Sequence, residues 1–159
     1  MSSTFTSKQH SKLELLLWGI AFPGFGQILN GHYIKAFLFI FLEIIINVNG
    51  NFNRIIMHSF NGKTELAAEL ANYDWLMFYP CIYFFAIWDA YKEGKGEQAA
   101  YDFFPFVSSA FFVTLGVIFS EHFTLFGLFP GPVLLPMLFL LPGLITGLFL
   151  KYLLNKKIH

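Results

Sequence analysis

The chain has 159 residues, of which 56% are apolar and 20% aromatic, whereas only 13% are charged. Soluble domains carry about 25% charged residues, and a chain this short has too little core to bury its 22 phenylalanines. The composition excludes a disordered chain and an ordinary cytosolic protein, and it indicates that lipid is the solvent. Ten basic residues balance ten acidic ones, which leaves no basic field for nucleic acid.

Chemical motifs are scarce in this sequence. A single cysteine, Cys81, excludes an internal disulfide and a cysteine-based zinc site. The five histidines follow no metal-binding spacing, and no serine lies in a GxSxG elbow. We therefore expect no catalytic residue, no cofactor and no metal, and we expect that the protein is not an enzyme.

Five apolar blocks follow a short N-terminal tail, residues 1–12. The first block, 13–31, is interrupted near its middle by Pro23 and Gly24, a pair that breaks helices. The second block, 33–48, contains one acidic residue, Glu43. A charge at that depth in a membrane is by default a functional candidate. The alternative is a protonated carboxyl that hydrogen-bonds Gln27, Asn30 or another helix.

The polar stretch 49–74 separates the second block from the third. Its asparagines and glycines predict a loop. A short helix follows, which Thr64 is expected to cap and which carries Leu66 and Leu70 on one face. We interpret the stretch as an extracytoplasmic insert.

The third block spans 75–91, and a linker, 96–102, leads to the C-terminal region 103–159. That region contains the fourth and fifth blocks, 103–119 and 131–154, and predicts a transmembrane hairpin with a short basic tail. Gly143 and Gly147 form a GxxxG motif in the fifth block. Such a motif packs helices closely, either against an internal neighbour or against a partner.

The basic residues discriminate between topologies, because cytoplasmic loops carry an excess of lysine and arginine. If all five blocks span the membrane, the ten basic residues divide four to six. If the first block turns back at Pro23 and Gly24, eight lie inside and only Arg54 and Lys63 outside. We therefore predict an all-α, polytopic integral membrane protein. It has four spanning helices, a re-entrant or interfacial first segment, and both termini in the cytoplasm.

Residues 22–36 read FPGFGQILNGHYIKA and match the pattern P-G-x-G-Q-x-x-x-G-x-x-x-K-G/A. This stretch resembles the signature of bacterial membrane proteins related to the two-transmembrane-helix (TM-two) domain family. Residues 87–92, IWDAYK, are similar to the segment in which a Trp and an Asp end that family's last helix. The resemblance covers residues 13–95 and implies a fold module in a bacterial cell membrane, without a known reaction.

The residues of this signature also have local physical roles. Gly24, Gly26 and Gly31 lack a Cβ and permit tight turns and close backbone approach. Pro23 leaves a backbone carbonyl without its helical donor, and we expect Gln27 or Asn30 to satisfy that carbonyl.

The predicted topology places Lys35 and Asp89 together at the cytoplasmic surface, and we expect them to lie near one another. An exposed pair of this kind contributes little to stability.

Three functions fit the sequence. The leading hypothesis is a non-enzymatic accessory subunit, which packs in the bilayer against another membrane protein or a second copy of itself, because packing motifs are abundant and catalytic ones absent. The second is a small transporter or channel component that uses Glu43, since a broken first helix is typical of transport sites. The third is a membrane-embedded lipid enzyme.

Overall fold

The computed structural model describes residues 10–156, which form helices and no named strand. The predicted all-α class is confirmed for this part of the chain. Expectations for residues 1–9 of the tail and 157–159 of the basic end lie outside the described residues. In chain order the helices are α1 (Lys12–Ala21), α2 (Phe25–Leu29), α3 (Tyr33–Asn49), α4 (Phe52–Phe60), α5 (Thr64–Leu70), α6 (Tyr73–Leu76), α7 (Tyr79–Tyr91), α8 (Phe104–Phe119) and α9 (Gly131–Lys156).

The first apolar block is divided into α1 and α2. Helix α1 begins after Ser11, whose Oγ accepts a hydrogen bond from the Glu14 amide at 3.1 Å. The chain then turns at Gly24, where φ is +103°, a left-handed conformation that favours glycine. Helix α1 runs beside α7 as far as Ile20, whose carbonyl accepts from the Tyr83 hydroxyl at 2.8 Å. Helix α2 returns along α7 to the level of Ala90.

The polar insert contains a helix that was not predicted from the sequence. Residues 52–60 form α4, whereas a loop was predicted up to residue 62. Ile55 and Ser59 of α4 are both buried. Because these positions lie one turn apart, they share the helix face that is directed inward. Thr64 is the first residue of α5 and does not cap it; its Oγ1 donates to the carbonyl oxygen of Phe129 at 2.7 Å. The insert is thereby attached to the start of α9.

Helices α8 and α9 form an antiparallel hairpin with close backbone contact. A Cβ on Gly147 would lie 2.5 Å from Pro105 Cα, and one on Gly143 would lie 2.9 Å from Ser109 Cα. The GxxxG motif thus packs against an internal neighbour, α8. Helix α9 continues through Pro136 and Pro142 as a single helix.

Apolar length separates α9 from the other helices. Among the described residues, α9 alone is by itself long and apolar enough to cross a membrane, with a mean hydropathy of 2.3. Helices α3 and α4 pass the same criterion only as a pair, bent by 65°. A buried apolar cluster joins the insert to the end of the hairpin, and its members are Ile55, Ala67, Leu76, Val117 and Val133.

Candidate functional site

Charged side chains meet at one end of the helices, which we call the charged end. Lys35 Nζ lies 3.1 Å from Asp89 Oδ1, so their predicted proximity is confirmed. Lys92 Nζ lies 2.8 Å from the same oxygen, and Glu93 pairs with both Lys35 and His32. The Asp89 side chain is only 5% exposed, whereas that of Lys35 is 44% exposed. Two lysines therefore neutralise one buried carboxylate from its solvent side.

The amide side chains of the signature attach α2 to α7. Gln27 Nε2 donates to the carbonyl oxygen of Ala86 at 2.7 Å and to Asp89 Oδ2 at 3.3 Å. Asn30 Nδ2 donates to the carbonyl oxygen of Ala90 at 3.1 Å. The expectation that these amides satisfy the carbonyl freed by Pro23 is wrong, because both amides are used across the helix interface.

The signature glycines have different roles. A Cβ on Gly26 would lie 2.5 Å from Ala90 Cβ, and one on Gly24 would lie 2.7 Å from Ile40 Cγ1. These two glycines allow α2 to approach α7 and α3. Gly31 has no atom within 4 Å of such a Cβ, but its φ of +77° requires a left-handed turn. The prediction that Gly31 permits close backbone approach is therefore wrong, whereas the prediction that it permits a tight turn is confirmed. Pro23 is fully buried beside this turn.

A second carboxylate at the charged end, Asp102, was not anticipated from the sequence. It lies in the predicted linker yet is buried, with Oδ1 2.5 Å from Lys151 Nζ and Oδ2 3.7 Å from Lys12 Nζ. Lys12 also donates to the carbonyl oxygen of Glu97 at 2.6 Å. Asp102 belongs to the segment that connects α7 to α8. The start of α1 and the last part of α9 thus both contact this one side chain.

Glu43 lies in the interior, away from the charged end. Its residue is 6% exposed, and it lines a cavity of about 380 Å³ to which α3, α4, α7, α8 and α9 all contribute. Its carboxyl makes no hydrogen bond to Gln27 or Asn30, whose amides bond to α7. The expected contact with another helix is present, because the Tyr79 hydroxyl of α7 is its hydrogen-bond partner. The other polar residues of the lining are Tyr79 and Tyr83. Because seven helices converge there, with α1 and α6 adding to these five, no local sequence signal marks this cavity.

Aromatic rings extend from this cavity in a continuous row. The ring centroids of Phe52 and Tyr79 are 4.4 Å apart, and those of Tyr79 and Tyr83 are 5.5 Å apart. Tyr83 also holds the end of α1 through the Ile20 carbonyl. The row therefore joins the insert, α7 and the first segment around Glu43.

A second concave feature is a lateral groove between α7 and α8, with a volume of about 400 Å³. It contains the small residues Cys81, Ala110 and Thr114. The larger residues that line it are Phe84, Phe85, Trp88, Phe106, Val107 and Phe111. Small residues between large apolar ones allow another helix to approach closely in lipid. We call this feature the α7–α8 groove.

Comparison of the chain with protein-family models, curated proteins and solved structures found no match. The relation of residues 13–95 to the TM-two family therefore stays a prediction. Within residues 10–156, no group of three or more His, Cys, Asp and Glu side chains is placed to hold a metal ion. The candidate functional features of the described residues are the charged end, the Glu43 cavity and the α7–α8 groove.

Proposed function

We propose that the protein is a polytopic membrane protein. The observation that supports this most is an outward-facing stripe on α3, formed by Ile34, Phe37, Phe41, Ile44 and Val48. Such three- and four-residue spacing places all five on one helix face, which in a soluble protein is turned toward the core. Here every member is at least half exposed, and Ile34 is 88% exposed. Lipid is the solvent that suits such a face.

The proposed protein has four spans, and the element lengths support this number. Helix α9 is long and apolar enough to span by itself. Helices α3 and α8 extend roughly 25 Å each at about 1.5 Å per residue. Helices α6 and α7 follow one another after a short turn and cover residues 73–91, about 27 Å at the same rise. The first segment is re-entrant, because Lys12 and Lys35 both lie beside the end of α7.

The orientation follows from the charges. Lys12, Lys35, Lys92 and Lys151 belong to the charged end, and the positive-inside rule places that end in the cytoplasm. In a Cys81→Ser background, cysteines at Lys63 and Lys95 should react with an impermeant maleimide from opposite sides of sealed vesicles. Labelling from one side contradicts this topology.

Within the membrane, the protein acts as a non-enzymatic accessory subunit of a complex. The α7–α8 groove supports this role, because its combination of small and aromatic lining residues fits a transmembrane helix of another membrane protein. The resemblance to the TM-two family supports a bacterial cell membrane as the location and residues 13–95 as a fold module. The C-terminal hairpin then supplies one wall of the groove.

The single native cysteine makes this function directly testable. Cys81 is exposed and lines the groove, so a benzophenone maleimide attached to it should cross-link to one specific partner in native membranes. The matched control is Ile34→Cys with Cys81→Ser, which places the same probe on the outward stripe of α3. We expect a discrete protein adduct from position 81 and lipid adducts from position 34.

The same experiment separates the alternatives. If the adduct from position 81 is a dimer of this chain, the partner in the groove is a second copy and not another protein. Lipid adducts alone from position 81 contradict the accessory function. If the purified protein is then a lone oligomer that conducts ions or protons in liposomes, and Glu43→Gln abolishes the flux, the function is transport. Turnover of a lipid by the purified protein identifies the enzyme alternative.

A further inference from the structure

The Glu43 cavity contains a carboxyl group that the proposed function does not use. Glu43 takes part in no ion pair among the described residues. At the charged end, by contrast, Asp89, Glu93 and Asp102 are each paired with lysine or histidine. A buried carboxylate in apolar surroundings is costly unless a positive group neutralises it. Glu43 is therefore either protonated or paired with a cation that enters the cavity, and the open space beside its carboxyl permits the second state.

The walls of the cavity indicate which kind of cation fits. Metal ions such as Ca²⁺ require six to eight oxygen ligands, whereas this lining offers one carboxyl and the hydroxyls of Tyr79 and Tyr83 among apolar side chains. Aromatic rings attract organic ammonium groups through their electron-rich faces. Phe52, Tyr79 and Tyr83 provide such rings beside Glu43.

We propose that this cavity binds an organic ammonium compound, a primary amine that carries a small apolar or aromatic body. Glu43 pairs with the ammonium group, the row of Phe52, Tyr79 and Tyr83 surrounds it, and the apolar walls take the body. A volume of about 380 Å³ falls within the 300–1,000 Å³ typical of small-molecule sites. Three lining residues, Ile20, Phe60 and Met137, are also exposed at the protein surface, so a ligand can enter the cavity.

This site goes beyond the accessory function, because it needs no partner in the α7–α8 groove. The two features share only Phe84. Loss of amine binding therefore leaves cross-linking from position 81 unchanged, and loss of the partner leaves amine binding unchanged. The two proposals fail separately.

The test uses the full-length protein in nanodiscs and isothermal titration calorimetry at pH 7, with empty nanodiscs as the baseline. The probe is benzylammonium, and benzyl alcohol is its neutral counterpart of nearly equal size. We expect benzylammonium to bind at least about tenfold more tightly, since a charged hydrogen bond is much stronger than a neutral one. Glu43→Gln should remove that preference, whereas Glu69→Gln, which changes an exposed carboxylate on α5, should preserve it.

A second variant keeps the test valid if Glu43→Gln does not fold. Phe52→Leu preserves an apolar side chain and removes one ring, so benzylammonium affinity should fall about threefold while benzyl alcohol affinity stays unchanged. Equal binding of the amine and the alcohol to the wild-type protein overturns the proposal, because a protonated Glu43 in a purely apolar cavity gives that result. An undiminished preference in Glu43→Gln overturns it as well.

Discussion

The N-terminal region and the C-terminal hairpin associate their helices by different means. In residues 13–95 polar side chains attach neighbouring segments to α7, through Gln27 and Asn30 of the broken first segment and through Lys35 of α3, which pairs with Asp89. In the hairpin α8 and α9 approach through glycine, with Gly143 and Gly147 against the backbone of α8. Polar side chains position a segment that is too irregular to pack by shape alone, whereas long regular helices associate by shape.

The largest effect is expected in the hairpin. Gly147→Ala places a Cβ 2.5 Å from Pro105 Cα and 2.7 Å from the Phe104 carbonyl oxygen, and backbone atoms cannot move aside cheaply. We expect a loss of about 3 kcal/mol in the free energy of unfolding, at the upper end of overpacking costs, measured by SDS titration. Leu148→Ala, one residue away on the exposed side, is the control. Equal losses in both variants contradict shape-dependent packing.

The next effect tests the polar attachment. Asp89→Ala leaves Lys35 and Lys92 without their shared carboxylate. We expect a loss of about 2 kcal/mol, less than for a fully buried pair because both lysines are partly solvated. In the same titration Lys35→Met should cost under about 1 kcal/mol, since Lys92 still neutralises Asp89. A greater cost for Lys35→Met than for Asp89→Ala reverses the assignment of Asp89 as the central residue.

A smaller effect connects the two modes of association. Gly26→Ala brings two methyl groups to 2.5 Å at Ala90, and we expect a loss of about 1 kcal/mol because side-chain atoms yield more easily than backbone. The double variant with Ala90→Gly removes the clash and should recover most of that stability, which thermal unfolding in detergent can measure. Without recovery, the contact with Ala90 is not the reason that position 26 requires glycine.

Features that depend on neighbouring residues could be predicted from the sequence. The break at Pro23 and Gly24 follows from backbone chemistry, and the GxxxG spacing of Gly143 and Gly147 predicts a packing face. The distribution of basic residues predicted a topology that places Lys35 near Asp89.

Features that depend on distant residues were missed. Asp102 was assigned to a linker because nothing near it in sequence shows that Lys12 and Lys151 would reach it. Helix α4 was missed because asparagines flank it and favour turns. The spacing of Phe52, Ile55, Ile56 and Ser59 was nevertheless helical, and it was the signal available.

Asp102 also bears on how the protein is made. Its carboxylate pairs with Lys12, near the start of the chain, and with Lys151, near the end of α9. During synthesis Lys12 and Asp102 leave the ribosome long before Lys151, so Asp102 stays incompletely neutralised until α9 has been translated and inserted. A chain truncated within α9 lacks this last contact, and we expect membrane quality-control proteases to degrade it faster than the full-length protein.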